Sequence, residues 1–138
     1  MGKTPKVTVY GIVLVLPLLM AMSSLTGSSP DTIPKPAKSF KAVFIDQMDV
    51  TTEVRDVTIE GGVFVEGKVG EGTVTVAFDK MSEMTPLMRD GRLWGNIKLR
   101  DGNTVEIVLN KTHRAYGRTP YGTFQIRLSD VKKMKLLH

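Results

Sequence analysis

Residues 66–84, EGKVGEGTVTVAFDKMSEM, align without a gap to residues 116–134, YGRTPYGTFQIRLSDVKKM, at an offset of fifty. The identical pairs are Gly67 with Gly117, Gly72 with Gly122, Thr73 with Thr123 and Met84 with Met134. Upstream, Val57 and Ile59 match Ile107 and Leu109 at the same offset. A match of this length at a fixed spacing indicates an internal duplication.

Both copies contain runs in which every second residue is apolar. Thr73–Phe78 and Thr123–Leu128 alternate in this way, and Asn103–Leu109 does the same. Such alternation is typical of strands with one buried face. The Asp101-Gly102 pair precedes the third run, so we expect Leu93–Arg100 and Asn103–Leu109 to form a hairpin.

These patterns predict an all-β protein of two tandem four-strand units that form a small barrel or sandwich. SH3-like or Sm-like folds are one possibility for the units. Each unit ends in a short helical stub, Asp79–Met84 in the first and Ser129–Met134 in the second. Asp79 and Ser129 are residue types that favour the N-cap of a helix. The glycines that separate the alternating runs are expected in turns.

Residues 1–27 have the order of a secretory signal peptide or an N-terminal membrane anchor. Two lysines precede the uncharged run Ile12–Met22, and small polar residues follow. Cleavage after Ser23 is one outcome, and an uncleaved anchor over Val7–Leu25 is the other. Either outcome predicts export, with the domain in the periplasm, outside the cell or anchored facing outward. Membrane contact is expected only through this segment, if it is not cleaved.

The rest of the chain divides by composition and charge. We expect a Pro-rich linker at 28–39, an acidic β unit at 40–84, a connector at 85–92 and a basic β unit at 93–138. Residues 43–84 hold nine acidic and three basic side chains, net −6, and residues 93–134 hold three acidic and eight basic ones, net +5. The units could face each other within the chain or join chains head to tail, or the difference is ordinary surface variation.

Residue types that perform catalysis or bind metals are scarce in this sequence. The chain has no Cys, which excludes disulfides, thiolate metal sites and a Cys nucleophile. His113 lies in an expected loop without a second ligand at metal-binding spacing. We therefore expect no metal and no cofactor. The acidic residues of the first unit leave a polysaccharide-cleaving carboxylate pair as an alternative.

The segment Gly117–Ile126, GRTPYGTFQI, resembles the T-P-x-G-x-F-x-I stretch of L,D-transpeptidases, an exported family that uses a Cys nucleophile. The chain has no Cys, so this resemblance does not imply that activity. Continued through Leu128–Met134, the segment also resembles the ending of uncharacterised exported bacterial small-β proteins. That resemblance implies an SH3-like or Sm-like unit without an assigned activity.

The sequence favours a non-enzymatic protein-interaction or assembly module of the cell envelope, whose partner is another envelope protein or a second copy of the chain. Aromatic and Arg side chains are enriched at the centres of binding surfaces. The candidate contact residues are Trp94, Arg114, Tyr116, Arg118, Tyr121 and Arg127. The alternatives are an envelope hydrolase that uses the carboxylates of the first unit, and a module that binds anionic polymers or lipids. Nucleic acid is not expected, because export separates the protein from most of it.

Overall fold

The computed structural model describes residues 32–138. The predicted export segment and the first residues of the predicted linker lie outside this range. Within it, the alternating runs form β-strands, because side chains that alternate in polarity bury one face of a strand and leave the other in water. The all-β prediction is confirmed, and the strands form one curled sheet.

The described residues contain ten strands, all paired antiparallel. They are β1 (Lys41–Asp46), β2 (Thr51–Ile59), β3 (Phe64–Val69), β4 (Gly72–Ala77), β5 (Met81–Arg89), β6 (Arg92–Leu99), β7 (Thr104–Leu109), β8 (Arg114–Thr119), β9 (Gly122–Arg127) and β10 (Val131–Leu137). Each repeat therefore supplies five strands rather than four. Residues 85–92, expected to connect the units, complete β5 and turn into β6 through Asp90 and Gly91, whose φ angles are 53° and 77°.

The strand order is β4-β3-β7-β6-β5-β10-β1-β2-β8-β9. Exchanging the strands of one repeat for those of the other reproduces this order in reverse, so the sheet has a pseudo-two-fold axis between β5 and β10. Met84 and Met134, equivalent in the repeat, pair with each other at this axis. The repeats are interleaved, because β3 of the first pairs with β7 of the second and β8 of the second pairs with β2 of the first.

The upstream part of the repeat follows a different offset from the one that the sequence suggested. Gly67 lies against Ile107, and its equivalent Gly117 lies against Val54 rather than Val57. Val54 is therefore the equivalent of Ile107, at an offset of 53. The segment from Val54 to Gly67 is three residues longer than the segment from Ile107 to Gly117. The β2–β8 register shifts within this stretch, where Asp56 has a φ of 52°.

One hydrophobic core fills the concave side of the sheet, and equivalent positions of both repeats supply it. The pairs are Phe44 with Ile97, Val54 with Ile107, Val65 with Ala115, Phe78 with Leu128, Met81 with Val131 and Met84 with Met134. Every member of these pairs is at most 2% exposed. Burying one side chain of this size contributes roughly 1.5–3 kcal/mol. The curl brings β9 back over β1, so that the rings of Phe44 and Phe124 lie 5.7 Å apart.

The predicted helical stubs are shorter than expected. Phe78–Lys80 and Leu128–Asp130 form single 3₁₀ turns, each of which turns an apolar side chain, Phe78 or Leu128, into the core. Asp79 and Ser129 do not cap them. The residues at the N-cap positions are Ala77 and Arg127, with no side-chain hydrogen bond to the turn.

Candidate functional site

A row of side chains crosses the outer face of β5, β6, β7, β3 and β4. Its successive members are directly paired residues, which project to the same face of an antiparallel sheet. The row runs Leu87, Trp94, Val108, Lys68, Thr73. Leu93 and Gly95, the neighbours of Trp94 along β6, point to the opposite face and are buried. We call Leu87, Trp94, Val108, Lys68 and Thr73 the Trp94 row.

The indole of Trp94 is half-buried beneath an arginine from the neighbouring strand. The Arg89 guanidinium carbon lies 4.4 Å from the centroid of the Trp94 ring. The same guanidinium is 2.8 Å from the Glu106 carboxylate, on the strand at the other side of β6. Arg89 therefore crosses from β5 to β7 over the indole, and the cation–π contact and the ion pair hold it there.

Shallow grooves lie on both sides of Trp94. The larger, about 590 Å³, opens toward β3 and includes Val69 and Arg92 beside the Trp94 row. The smaller, about 360 Å³, opens toward β5 and includes Leu87 and Asn96. Leu87 is 61% exposed and Val69 is 48% exposed, so apolar side chains line this surface at both ends.

The predicted contact residues other than Trp94 lie on the β8–β9 hairpin. Arg114, Tyr116 and Arg118 alternate with the buried residues of β8 and therefore share its outer face. Arg127 on β9 is paired directly with Arg114. Tyr121 lies in the turn between the strands and is 87% exposed.

The structure separates Trp94 from this group, because β5, β10, β1 and β2 lie between β6 and β8 in the sheet. The six predicted contact residues thus form two surfaces rather than one. The sequence analysis missed Leu87, Arg89 and Glu106. Leu87 and Arg89 share one face of β5, but they lie within 85–92, which was expected to be a connector rather than a strand. Proline has no N–H to donate to a neighbouring strand, so it is tolerated where a strand is paired on one side only. At Pro86, β5 is paired with Gly95 of β6, whereas its pairing with β10 extends only to Met84.

Charges of the two repeats meet within the folded chain. Lys132 lies 2.5 Å from Asp49, Lys133 lies 3.4 Å from Glu83, and Arg118 lies 4.0 Å from Asp56. Because the repeats interleave, β3–β7 (residues 64–109) carry seven acidic and six basic side chains. The other half, residues 41–59 and 114–137, carries five acidic and eight basic ones. The separation of charge along the chain is therefore largely cancelled in the sheet, which favours contact between the units within the chain.

The carboxylates of the first unit stabilise turns and ion pairs. Asp46 accepts hydrogen bonds from two backbone N–H groups of the β1–β2 turn, and Glu60 accepts one from the N–H of Arg114. Asp56 accepts a hydrogen bond from Ser39. A hydrogen bond from Lys38, at 2.9 Å, lowers the pKa of Asp79 below its usual value of 3.8. A general acid for glycoside cleavage needs a raised pKa, so this shift has the opposite direction.

His113 lies in the loop between β7 and β8, as expected, and its carbonyl oxygen accepts a hydrogen bond from the N–H of Leu128. Among residues 32–138, no group of three or more His, Asp or Glu side chains is placed to hold a metal ion. No helix in this part of the chain is long and apolar enough to cross a membrane.

A protein-family model described as "uncharacterised protein" matches residues 36–138, and the chain belongs to that family. The match begins shortly before β1 and covers all ten strands. No curated protein and no solved structure matches the chain significantly.

Proposed function

We propose that this domain is a non-catalytic binding module of the cell envelope, and that another protein binds it at the Trp94 row. The observation that carries this proposal is the row itself. Leu87, Trp94 and Val108 lie side by side on the solvent-facing side of three adjacent strands. Export, the other part of the proposal, is supported by the composition of residues 1–27.

The apolar part of the Trp94 row consists of three directly paired residues, Leu87, Trp94 and Val108. On a sheet with one buried face, the outer positions of consecutive strands are expected to be polar. Here Leu87, an outer position of β5, is 61% exposed, and Val69 at the end of β3 lines the larger groove. A connected apolar surface with Trp and Arg at its centre and charged residues around it has the composition of protein interfaces.

The geometry around Trp94 favours a protein over a polysaccharide. Sugar rings stack on an open aromatic face, but the Arg89 guanidinium lies over the indole and is tied to Glu106. The side chains beside the indole, Leu87 and Val108, are aliphatic. They match an apolar side chain of a partner better than a hydroxyl-rich ring.

The charges beside the groove indicate the chemistry of the partner. Lys68 and Arg92 line the larger groove together with Glu71, and neither cation forms an ion pair with another residue of the described chain. A carboxylate of the partner would pair with them while its apolar side chain contacts Trp94. We therefore expect a segment in which an apolar residue lies next to an acidic one.

Photo-crosslinking in cells that produce the full chain tests the proposal. A photoreactive phenylalanine analogue is placed at Leu87, and in a second variant at Thr104, which is exposed on the outer face of β7. Position 87 should give one discrete adduct in the envelope fraction, and Trp94→Lys should abolish it. Lys is chosen as the replacement because it is the residue at the equivalent position of the other repeat. Position 104 should give none.

Absence of an adduct at position 87, or an equal one at position 104, would contradict the proposal. An adduct of twice the mass of the chain would instead assign the surface to self-association. Circular dichroism of the purified Trp94→Lys variant separates a lost contact from a lost fold.

A further inference from the structure

The pseudo-two-fold axis generates a second row, equivalent to the Trp94 row, on the outer face of β10, β1, β2, β8 and β9. It runs Leu137, Lys41, Arg55, Arg118, Thr123. Lys41 pairs with Leu137, Arg55 pairs with Arg118, and Arg118 pairs with Thr123. Lys41 and Arg55 lie one residue beyond the Ala42–Val54 pair and line the same groove. We call this set the Lys41 row.

The two rows agree at some positions and differ at others. Leu and Thr occupy the two ends of both rows, and a cation, Lys68 or Arg118, occupies the fourth position of each. The second and third positions differ in kind. Trp94 and Val108 stand in one row where Lys41 and Arg55 stand in the other. The fold therefore presents the same groove twice, once with an apolar centre and once with a cationic one.

The cationic groove has a volume of about 340 Å³ and is lined by Lys41, Arg55 and Arg118, with Glu53 at its side. Arg55 and Arg118 face each other across β2 and β8, an arrangement that is destabilising for like charges unless an anion lies between them. The Asp56 carboxylate is 3.1 Å from Arg55 and 4.0 Å from Arg118.

Asp56 lies beside the groove and also accepts the Ser39 hydroxyl at 2.6 Å. Among the described residues that line the groove itself, cations outnumber carboxylates, because Lys41, Arg55 and Arg118 are accompanied by Glu53. Arg118 is held in place, since its side chain is 17% exposed, whereas the Arg55 side chain is 56% exposed and turned toward solvent. A fixed and an exposed guanidinium beside an ammonium form a set of donors suited to a phosphate group.

We propose that the Lys41 row binds a phosphate group, carried either by a soluble polyanion or by a lipid headgroup. The site is separate from the Trp94 row and does not depend on the function proposed for it. The basic surface also continues along β8, where Arg114, four residues from Arg118, lies opposite Arg127. Four residues of strand span roughly 13 Å. A ligand with several phosphates would therefore contact the Lys41 row first and these arginines next.

Tripolyphosphate, titrated into the full chain and followed by NMR, tests the site. The amide signals of Lys41, Arg55 and Arg118 should shift most, and binding should weaken as salt rises. The double variant Lys41→Ala, Arg55→Val should weaken binding about tenfold or more, because it removes two charge-assisted contacts and leaves Val, the residue of the other groove. Lys98→Ala with Lys132→Ala removes two exposed cations outside the Lys41 row and should change affinity less than about twofold.

Equal losses in the two double variants, or the largest shifts around Trp94, would overturn the proposal. So would absence of binding to the unmodified chain at physiological salt. If the Lys41, Arg55 variant does not fold, the shift map of the unmodified chain decides alone. Co-sedimentation with vesicles of phosphatidylglycerol, against vesicles of phosphatidylcholine, distinguishes the two sources. If the chain sediments with the anionic vesicles and the Lys41, Arg55 variant does not, the phosphate belongs to a lipid headgroup. If the chain binds tripolyphosphate but does not sediment with the anionic vesicles, the phosphate belongs to a soluble polyanion.

Discussion

Replacing Gly117 with Ala should destabilise the domain more than any other exchange of a strand glycine for alanine in the second repeat. Gly117 lies in β8 where that strand crosses close to β2. A Cβ atom at this position would lie 2.7 Å from both Cβ and Cγ2 of Val54 and 3.3 Å from the Arg55 carbonyl oxygen. Carbon atoms in contact are normally about 3.5–4.0 Å apart, so one strand must move.

The expected loss of unfolding free energy is about 2–3 kcal/mol, the upper part of the range for overpacked cores. The upper part applies because the Cβ of Val54 is fixed to the β2 backbone and no rotamer change removes it. Gly67, the equivalent residue, would meet Cδ1 of Ile107 at 2.6 Å and the Val108 carbonyl oxygen at 2.8 Å. Its replacement should cost a similar amount. For a domain of this size the melting temperature should fall by about 10–20 °C.

Gly72 supplies the matched control. It is also identical between the repeats, but a Cβ there would meet nothing closer than the Val69 carbonyl oxygen, at 3.5 Å. Gly72→Ala should therefore change stability by no more than about 0.5 kcal/mol. Urea unfolding, followed by far-UV circular dichroism and by the fluorescence of the single tryptophan, Trp94, measures all three variants. A Gly117→Ala domain as stable as Gly72→Ala would refute the close crossing of β8 and β2.

Two further tests concern an ion pair and the pseudo-two-fold axis. Lys38→Gln should raise the pKa of Asp79 toward 3.8, because the hydrogen bond from Lys38 is what lowers it. The stability that this contact contributes is present above pH 3.8 and is lost as the pH falls through the lowered pKa. The variant should therefore lose less stability on acidification. An NMR titration of the Asp79 carboxyl that shows no change would contradict this. Met84→Ala and Met134→Ala should each cost about 2–5 kcal/mol in urea unfolding, since both side chains are fully buried. The exposed Met88→Ala is the control, and clearly unequal costs at 84 and 134 would argue against equivalent environments.

The sequence predicted the strands well where alternation and turn residues coincide. The hairpin across Asp101-Gly102 is confirmed as β6 and β7. The alternating runs that begin at Thr73 and Thr123 form β4 and β9, which pair with β3 and β8. In these places the period of two fixes which face is buried, and the turn fixes the pairing partner.

The pairing between the repeats could not be read in the same way. Alternation shows that a strand has a buried face but does not name its neighbour, so the exchange of β3 and β8 between repeats was not foreseen. Gly67 was matched with Gly117 in the sequence, but neither was assigned a structural role. They lie inside strands, where the absence of a Cβ lets β3 and β8 approach β7 and β2. The match of Val57 to Ile107 was wrong for a related reason, because the register shift in β2 changes the offset without interrupting the alternation.

The candidate contact residues were chosen from the sequence by residue type, as aromatic and Arg side chains. Residue type does not show which strands are neighbours, and four strands separate Trp94 from the arginines of β8 in the sheet. Lys41 was not considered, since its importance comes from the Arg55–Arg118 pair beside it rather than from a motif.

The exchange of hairpins has a consequence for the origin of the protein. One repeat alone leaves β3 without β7 and so cannot complete its half of the sheet. An ancestor with a single copy would have required two chains, each lending its β3–β4 hairpin to the other, and such a homodimer presents two identical grooves. A single chain that holds both repeats is free of that constraint. Each groove can change without the other, and the Trp94 and Lys41 rows differ at their second and third positions.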